Sequence, residues 1–344
     1  MNWTLGRRPA LDGVRGLAIL MVMANHTLVP HSYGGGPIGV TVFFVLSGFL
    51  ISALLLTEHD RTGSVSFRRF YERRVRRLLP AAVAAIAANV VASFWFGGWF
   101  LEWQDIPPAL FYYANWVLAF SPGDALGALG GYWSLSIEEQ FYILWPLVLL
   151  ALMRRGRTWV IAGAAAGVAL SLLDRAVLWS QGASFERIYY GSDTVAASLL
   201  AGCLLAAVLA GRPERRPSPV LAWVGAALIL GAALGFLRAD RWASVVATVG
   251  TVLVIWAVAR GPADYSFWWL SNPVIRWFGE RSYGLYLWHI SIAWVLRSQT
   301  SLSWPEIMVL TFASSCAIAE LSYRYLESPF RRRPQMSALE PTLR

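Results

Sequence analysis

Apolar residues gather into ten long runs, near residues 11–30, 36–57, 78–102, 132–153, 158–180, 189–211, 218–237, 242–260, 280–299 and 305–326. Each fits the roughly 20 mostly apolar residues that a helix needs to cross a bilayer. Hydrocarbon admits only helices or closed barrels, because every backbone polar group must find its partner within the protein. No alternating barrel pattern occurs. The expectation is one all-α, polytopic transmembrane domain over residues 1–327, with about ten helices, followed by a short basic cytoplasmic tail over 328–344. Polar residues inside these runs are costly in lipid and point to function or to a buried partner.

Composition supports the pattern. The chain has 344 residues, 57% of them hydrophobic and 14% charged. Its net charge of +9 comes from arginine, with lysine absent, and the arginines alternate between connections. If the N-terminus is cytoplasmic, twenty-two arginines fall on inner connections and tails and four, Arg187, Arg238, Arg241 and Arg297, on outer ones. That bias is a topology signal rather than a nucleic-acid footprint, and it puts both termini on the cytoplasmic side. Arg7 and Arg8 precede a first run too long for a signal peptide, so the first helix is expected to be retained. Cys203 and Cys316 fall inside apolar runs, giving neither a disulfide framework nor metal-ligand spacing. Phosphate-loop, dinucleotide, zinc-protease and hydrolase-elbow motifs are missing from the sequence.

Four stretches carry chemistry. In LDGVRGLAILMVMANHTLVP, Arg15 and His26 stand eleven residues apart, which puts both on one helical face about 16 Å apart along the axis. The plain reading is a snorkelling arginine and a hydrogen-bonded histidine. The functional reading is a site spanning two depths. The segment SVSFRRFYERRVRRLLP forms an amphipathic helix with Phe67, Phe70, Tyr71, Val75 and Leu78 on one face and a stripe of Arg69, Arg73, Arg76 and Arg77 on another. It serves as an anchor to anionic lipid or as a phosphate clamp. In GGYWSLSIEEQFYILWPL, Glu138 and Glu139 lie at a depth similar to that of His26. A carboxylate there would orient a histidine acting as general base. Consecutive residues diverge by about 100°, so only one of the two can face it. In WFGERSYGLYLWHISI, Tyr283, Tyr286 and His289 are interior polar groups, with Tyr286 and His289 as supporting candidates. His31 and His59 read as loop residues. The aromatic connection from Trp103 to Gly131 reads as a lid over the histidine side or as an interfacial belt.

These strings occur together with FFVLSGFLIS, FYERRVRRLLP and YRYLESPFRRR, and in this order the chain resembles the integral-membrane acyltransferases of acyltransferase family 3, which include bacterial O-antigen and polysaccharide acetylases. The resemblance implies an acyl-coenzyme A donor, acetyl-coenzyme A being expected, used as a co-substrate without any permanently bound cofactor or metal. It implies transfer to a hydroxyl of a carbohydrate or lipid-linked glycan at the inner (cytoplasmic) membrane. By motif match it implies Arg15 and His26 as essential, Arg73, Arg76 and Arg77 as the donor-side basic motif, and Glu138 and Glu139 as the acidic pair. It also marks Ser47 and Gly48 in the second run. Relatives commonly open the sixth span with a charged string. Here SDTVAASLL keeps Asp193 but has Val195 and Ala197 at the other charged positions, which implies a different or less polar acceptor. The competing expectation is a proton-coupled secondary transporter or a lipid-linked sugar flippase, which should show inverted repeats and discontinuous helices.

Overall fold

The computed structural model describes residues 6, 8–27, 35–121, 126–214, 218–235, 240–261 and 267–331. Among these residues there is no strand. The long helices, numbered in chain order, are α1 (Pro9–Thr27), α2 (Gly35–Thr62), α3 (Phe67–Phe96), α4 (Tyr132–Met153), α5 (Arg157–Ser180), α6 (Ser192–Leu209), α7 (Pro219–Ala233), α8 (Asp240–Ala259), α9 (Ser282–Gln299) and α10 (Trp304–Ser322). Every apolar run expected from the sequence coincides with one of them. Seven are long and apolar enough to cross a membrane, and the protein is a multi-pass membrane protein. Of the others, α7 has only 15 residues, whereas α1 and α9 are made less apolar by the Arg, Asn, His and Tyr side chains singled out above.

The helix α2 is the hub. It packs against α1, α4, α6 and α8, while α1 also packs against α9, α10 and the short helix Pro273–Glu280. Its contact with α6 is backbone to backbone. A Cβ placed on Gly48 would lie 1.8 Å from the Leu199 carbonyl oxygen, and one on Gly202 would lie 2.0 Å from that of Val45. Only glycine permits that approach, which accounts for Gly48 as a packing position. Cys203 closes the contact by donating from Sγ to the Gly48 carbonyl at 3.4 Å.

Three expectations change. The basic amphipathic segment and the third apolar run form one continuous helix of 30 residues, with Pro80 inside it. Its start is capped by Ser66, which accepts from the Arg69 amide at 3.4 Å. The arginines are therefore held in line with a membrane helix rather than on a separate interfacial one. The connection from Trp103 to Gly131 is folded into short helices, among them Ile106–Leu110 and Ala114–Phe120. Gln140 on α4 fastens it by donating from Nε2 to the Tyr112 carbonyl at 2.8 Å and to Asn115 Oδ1 at 2.9 Å. Asn115 donates in turn to the Tyr190 carbonyl and to Ser192, both at 3.0 Å. Non-helical backbone at membrane depth needs such partners. His59 lies in the last turn of α2 rather than in a loop. His31 and residues 332–344 of the expected tail fall outside the described residues.

Candidate active site

Between α2 and α3 lies a cavity of about 670 Å³, closed by α1, α4 and α9. From α1 it takes Arg15; from α2 Ser47; from α3 Arg73, Arg74, Arg76 and Arg77; from α4 Ser134, Glu138 and Glu139; and from α9 Ser282, Tyr283 and Tyr286. Five elements distant in sequence thus converge on one space, and most of the residues expected to carry chemistry meet there. His26, His289, Arg69 and Asp193 lie outside its lining. Arg69 is exposed and outside the lining, because its side chain leaves the face of α3 on which its buried neighbour Phe70 lines the cavity. Asp193, at the start of α6, pairs with Arg187 across Nη1–Oδ1 at 2.9 Å and is likewise absent from the lining.

The basic end is built by α1 and α3. Arg15 donates from Nη2 to Ser282 Oγ at 3.1 Å, which ties the first helix to the start of α9. Arg73 lies 3.7 Å from Glu58 at the end of α2. Arg74 escapes the sequence reading because it falls beside the arginine stripe rather than on it. It donates to Glu139 from Nε at 3.2 Å and from Nη2 at 2.9 Å, and its guanidinium stacks over the Tyr142 ring at 3.0 Å from the centroid. A planar fork suits both contacts at once. A signal for it exists in the sequence: two adjacent carboxylates in a membrane helix require a cationic partner.

The glutamates correct a sequence expectation. Both face the cavity, but they turn toward different helices, as their angular separation demands. Glu138 accepts from Ser47 Oγ at 2.8 Å and from the Tyr142 hydroxyl at 3.4 Å, while Glu139 belongs to Arg74. Neither carboxylate is the partner of His26. Ser47 thereby gains a definite role: it anchors Glu138 to α2.

The partner of His26 is His289. Its Nε2 lies 3.1 Å from His26 Nδ1, with the ring centroids 5.1 Å apart. His289 is fully buried, and its Nδ1 lies 2.9 Å from the Leu285 carbonyl, which can only accept. That bond places the His289 proton on Nδ1 and leaves Nε2 as an acceptor. His26 must then donate from Nδ1, so its own Nε2 carries the free lone pair. The Leu285 carbonyl thus selects the tautomer of His289, and His289 together with the Val22 carbonyl selects that of His26, a task the sequence reading gives to a carboxylate. Tyr286 connects this pair to the cavity: its ring lies 5.7 Å from that of His289, and its hydroxyl donates to the Gly131 carbonyl at 3.0 Å and lies 2.5 Å from Ser134 Oγ. Tyr112, with φ of 55°, also lines the cavity, a second residue that the sequence hides because its connection reads as a surface lid.

Chemically, the arrangement offers several guanidinium groups at one end, a contacting pair of imidazoles beyond the other, and tyrosine and serine hydroxyls between them. A family profile described as an acyltransferase domain matches residues 8–322. Among curated proteins the chain is similar to the peptidoglycan O-acetyltransferase OatA of Listeria monocytogenes, 35% identical over 356 residues, covering 94% of this chain and 56% of the relative. It is equally similar to YrhL of Bacillus subtilis, 35% identical over 347 residues with 94% and 55% covered, a protein whose name gives the same activity provisionally. A provisionally named O-acetyltransferase of Staphylococcus aureus is 32% identical over 355 residues, with 94% and 57% covered. The chain therefore spans little more than half the length of these relatives. No solved structure matches it. With the domain match running from the start of α1 to the end of α10, the chain belongs to the acyltransferase-domain family.

Proposed function

We propose that the protein is a membrane O-acyltransferase that moves an acetyl group from acetyl-coenzyme A to a hydroxyl of a cell-envelope carbohydrate or lipid-linked glycan. One observation carries this reading: a single cavity of about 670 Å³ gathers Arg15, Arg73, Arg76 and Arg77 at one end and stops at Ser134 and Tyr286 at the other, with His289 and His26 just behind. Arginine forks match the phosphates of the coenzyme, and the cavity continues from them toward the imidazole pair. In this reading the chain crosses the inner membrane ten times with both termini cytoplasmic, so the arginines face the cytoplasmic donor pool.

His26 Nε2 takes the proton of the acceptor hydroxyl, whose oxygen attacks the thioester carbonyl. The carbon–sulfur bond breaks, and the thiolate of coenzyme A leaves and recovers the proton from the imidazolium. His289 holds the His26 ring and accepts from Nδ1 throughout. Glu138 and Glu139 organise the cavity through Ser47 and Arg74. The names of the relatives, all O-acetyltransferases, support this reading over the transporter alternative.

The test is incubation of the purified protein, in lipid nanodiscs, with radiolabelled acetyl-coenzyme A and a cell-envelope glycan fraction. The expected result is ester-linked label in the glycan and stoichiometric free coenzyme A, both lost in His26→Ala. Absence of coenzyme A binding by the folded protein would overturn the proposal.

A further inference from the structure

A second cavity, of about 220 Å³, lies at the end of the bundle where α2, α4 and α6 begin and α1 ends. Its floor is Val195, Ala197 and Ala201 of α6, and its sides are formed by α2, α5 and α8. We propose that it seats the hydrocarbon tail of a membrane-borne acceptor, a single-chain amphiphile with an anionic head, of the polyprenyl phosphate class.

Three observations select that occupant. First, four hydroxyls of the wall direct their protons into the protein. Thr41 donates to the Pro37 carbonyl at 3.0 Å, Thr194 to the Ile188 carbonyl at 2.7 Å, Ser198 meets Thr248 at 2.8 Å, and Thr248 donates to the Ser244 carbonyl at 2.7 Å. Apart from the Ser244 and Tyr189 hydroxyls and Arg175, the surface left to a ligand is aliphatic and aromatic, unsuited to a sugar ring and suited to a chain. Secondly, the cleft opens sideways. The helices α5 and α8 both pack on α6 without packing closely on each other, and Val249 of the lining is itself exposed. In a membrane that surface faces lipid chains, so the occupant enters from the bilayer. Thirdly, Arg175 stands in the lining, one turn beyond Leu172, with the charge to hold an anionic head. Val195 and Ala197 form part of this apolar floor.

The cleft is joined to the site above. Val40 and Phe44 line both cavities. Trp133 lines the cleft and packs edge-on against Phe44 at 6.2 Å between centroids, while the next residue, Ser134, faces the larger cavity and meets Tyr286. At the same end, Gly36 of α2 lies against the Asn25 side chain of α1, next to His26. A tail in the cleft thus keeps its head at the His26 end of the bundle.

This inference rests on the acyl-transfer reading, and one preparation separates the two. The protein in nanodiscs is irradiated with farnesyl phosphate bearing a diazirine on its tail, and the adducts are mapped by mass spectrometry, while release of coenzyme A from acetyl-coenzyme A is followed on the same sample. Adducts are expected on residues 195–201 and 245–252, competed by plain farnesyl phosphate and not by phosphatidylglycerol. Ala201→Phe, which fills the cleft, should lower labelling at least about tenfold, and Ala197→Val, a smaller filling, should lower it less. Equal competition by phosphatidylglycerol, adducts scattered over the lipid-facing surface, or undiminished labelling of folded Ala201→Phe would overturn the proposal even if wild type releases coenzyme A. Absence of coenzyme A release in a sample whose cleft is labelled would instead count against the acyl-transfer reading alone.

Discussion

His289 Nε2 lies 3.1 Å from His26 Nδ1, with the Leu285 carbonyl fixing the proton on the far side of His289. In the proposed mechanism the two rings act as a unit in which one is the base and the other its support. His26→Ala should lower acetyl transfer by about 100-fold or more, and His289→Ala by a smaller factor. The double variant should be no worse than His26→Ala alone, because the second ring works only through the first. Steady-state transfer rates for the three variants decide this, and additive losses would show that His289 acts independently.

Arg15 and His26 share a helix, and in the proposed mechanism they serve different ends of the site. Arg15→Lys keeps the charge and loses the fork, so its defect should appear in coenzyme A affinity measured by calorimetry. His26→Gln should bind coenzyme A normally and fail in turnover. Equal loss of donor binding in both would show that the two residues form one structural unit.

The arginines of α3 divide by position. Arg73→Ala combined with Arg76→Ala should weaken coenzyme A binding, whereas Arg69→Ala, whose side chain lies outside the cavity, should leave it unchanged. A comparable loss from Arg69→Ala would mean that the segment works through general attraction to anionic groups.

Arg74 and Glu139 form a largely buried pair, with side-chain exposures of 19% and 21%. Removing one partner strands the other, so Arg74→Ala should destabilise the protein by about 3 kcal/mol. Arg74→Ala with Glu139→Gln should recover part of that loss. Unfolding in mild detergent, read by tryptophan fluorescence, measures both. A double variant no more stable than Arg74→Ala would show that the stack on Tyr142, rather than the ion pair, is what holds the helices.

Gly48 tests the hub. Gly48→Val places a side chain into the backbone of α6 and should cost at least about 1–3 kcal/mol through overpacking, with lower yield of membrane-inserted protein. The obstructing group is the backbone carbonyl of Leu199, which no rotamer change on α6 can move aside. Normal thermal stability of Gly48→Val would therefore contradict the observed α2–α6 contact.

Sequence alone determined the all-helical membrane architecture, because lipid leaves the backbone no other solution and apolar runs of the required length are visible in one dimension. It also singled out Arg15, His26, Glu138, Glu139 and the α3 arginines, since polar groups stand out against hydrocarbon, while Ser47 was marked only by the family resemblance. It did not determine who pairs with whom. Glu138 and Glu139 lie at a depth compatible with His26, and only packing shows that Ser47 and Arg74 claim them while His289, 263 positions away, takes the imidazole. Arg74 and Tyr112 were hidden for the same reason: side-chain direction at a helix crossing, and the inward path of a folded connection, depend on neighbours far along the chain. Periodicity reports which residues share a face. Which face meets which is decided by close packing, as where Gly48 and Gly202 let two backbones touch.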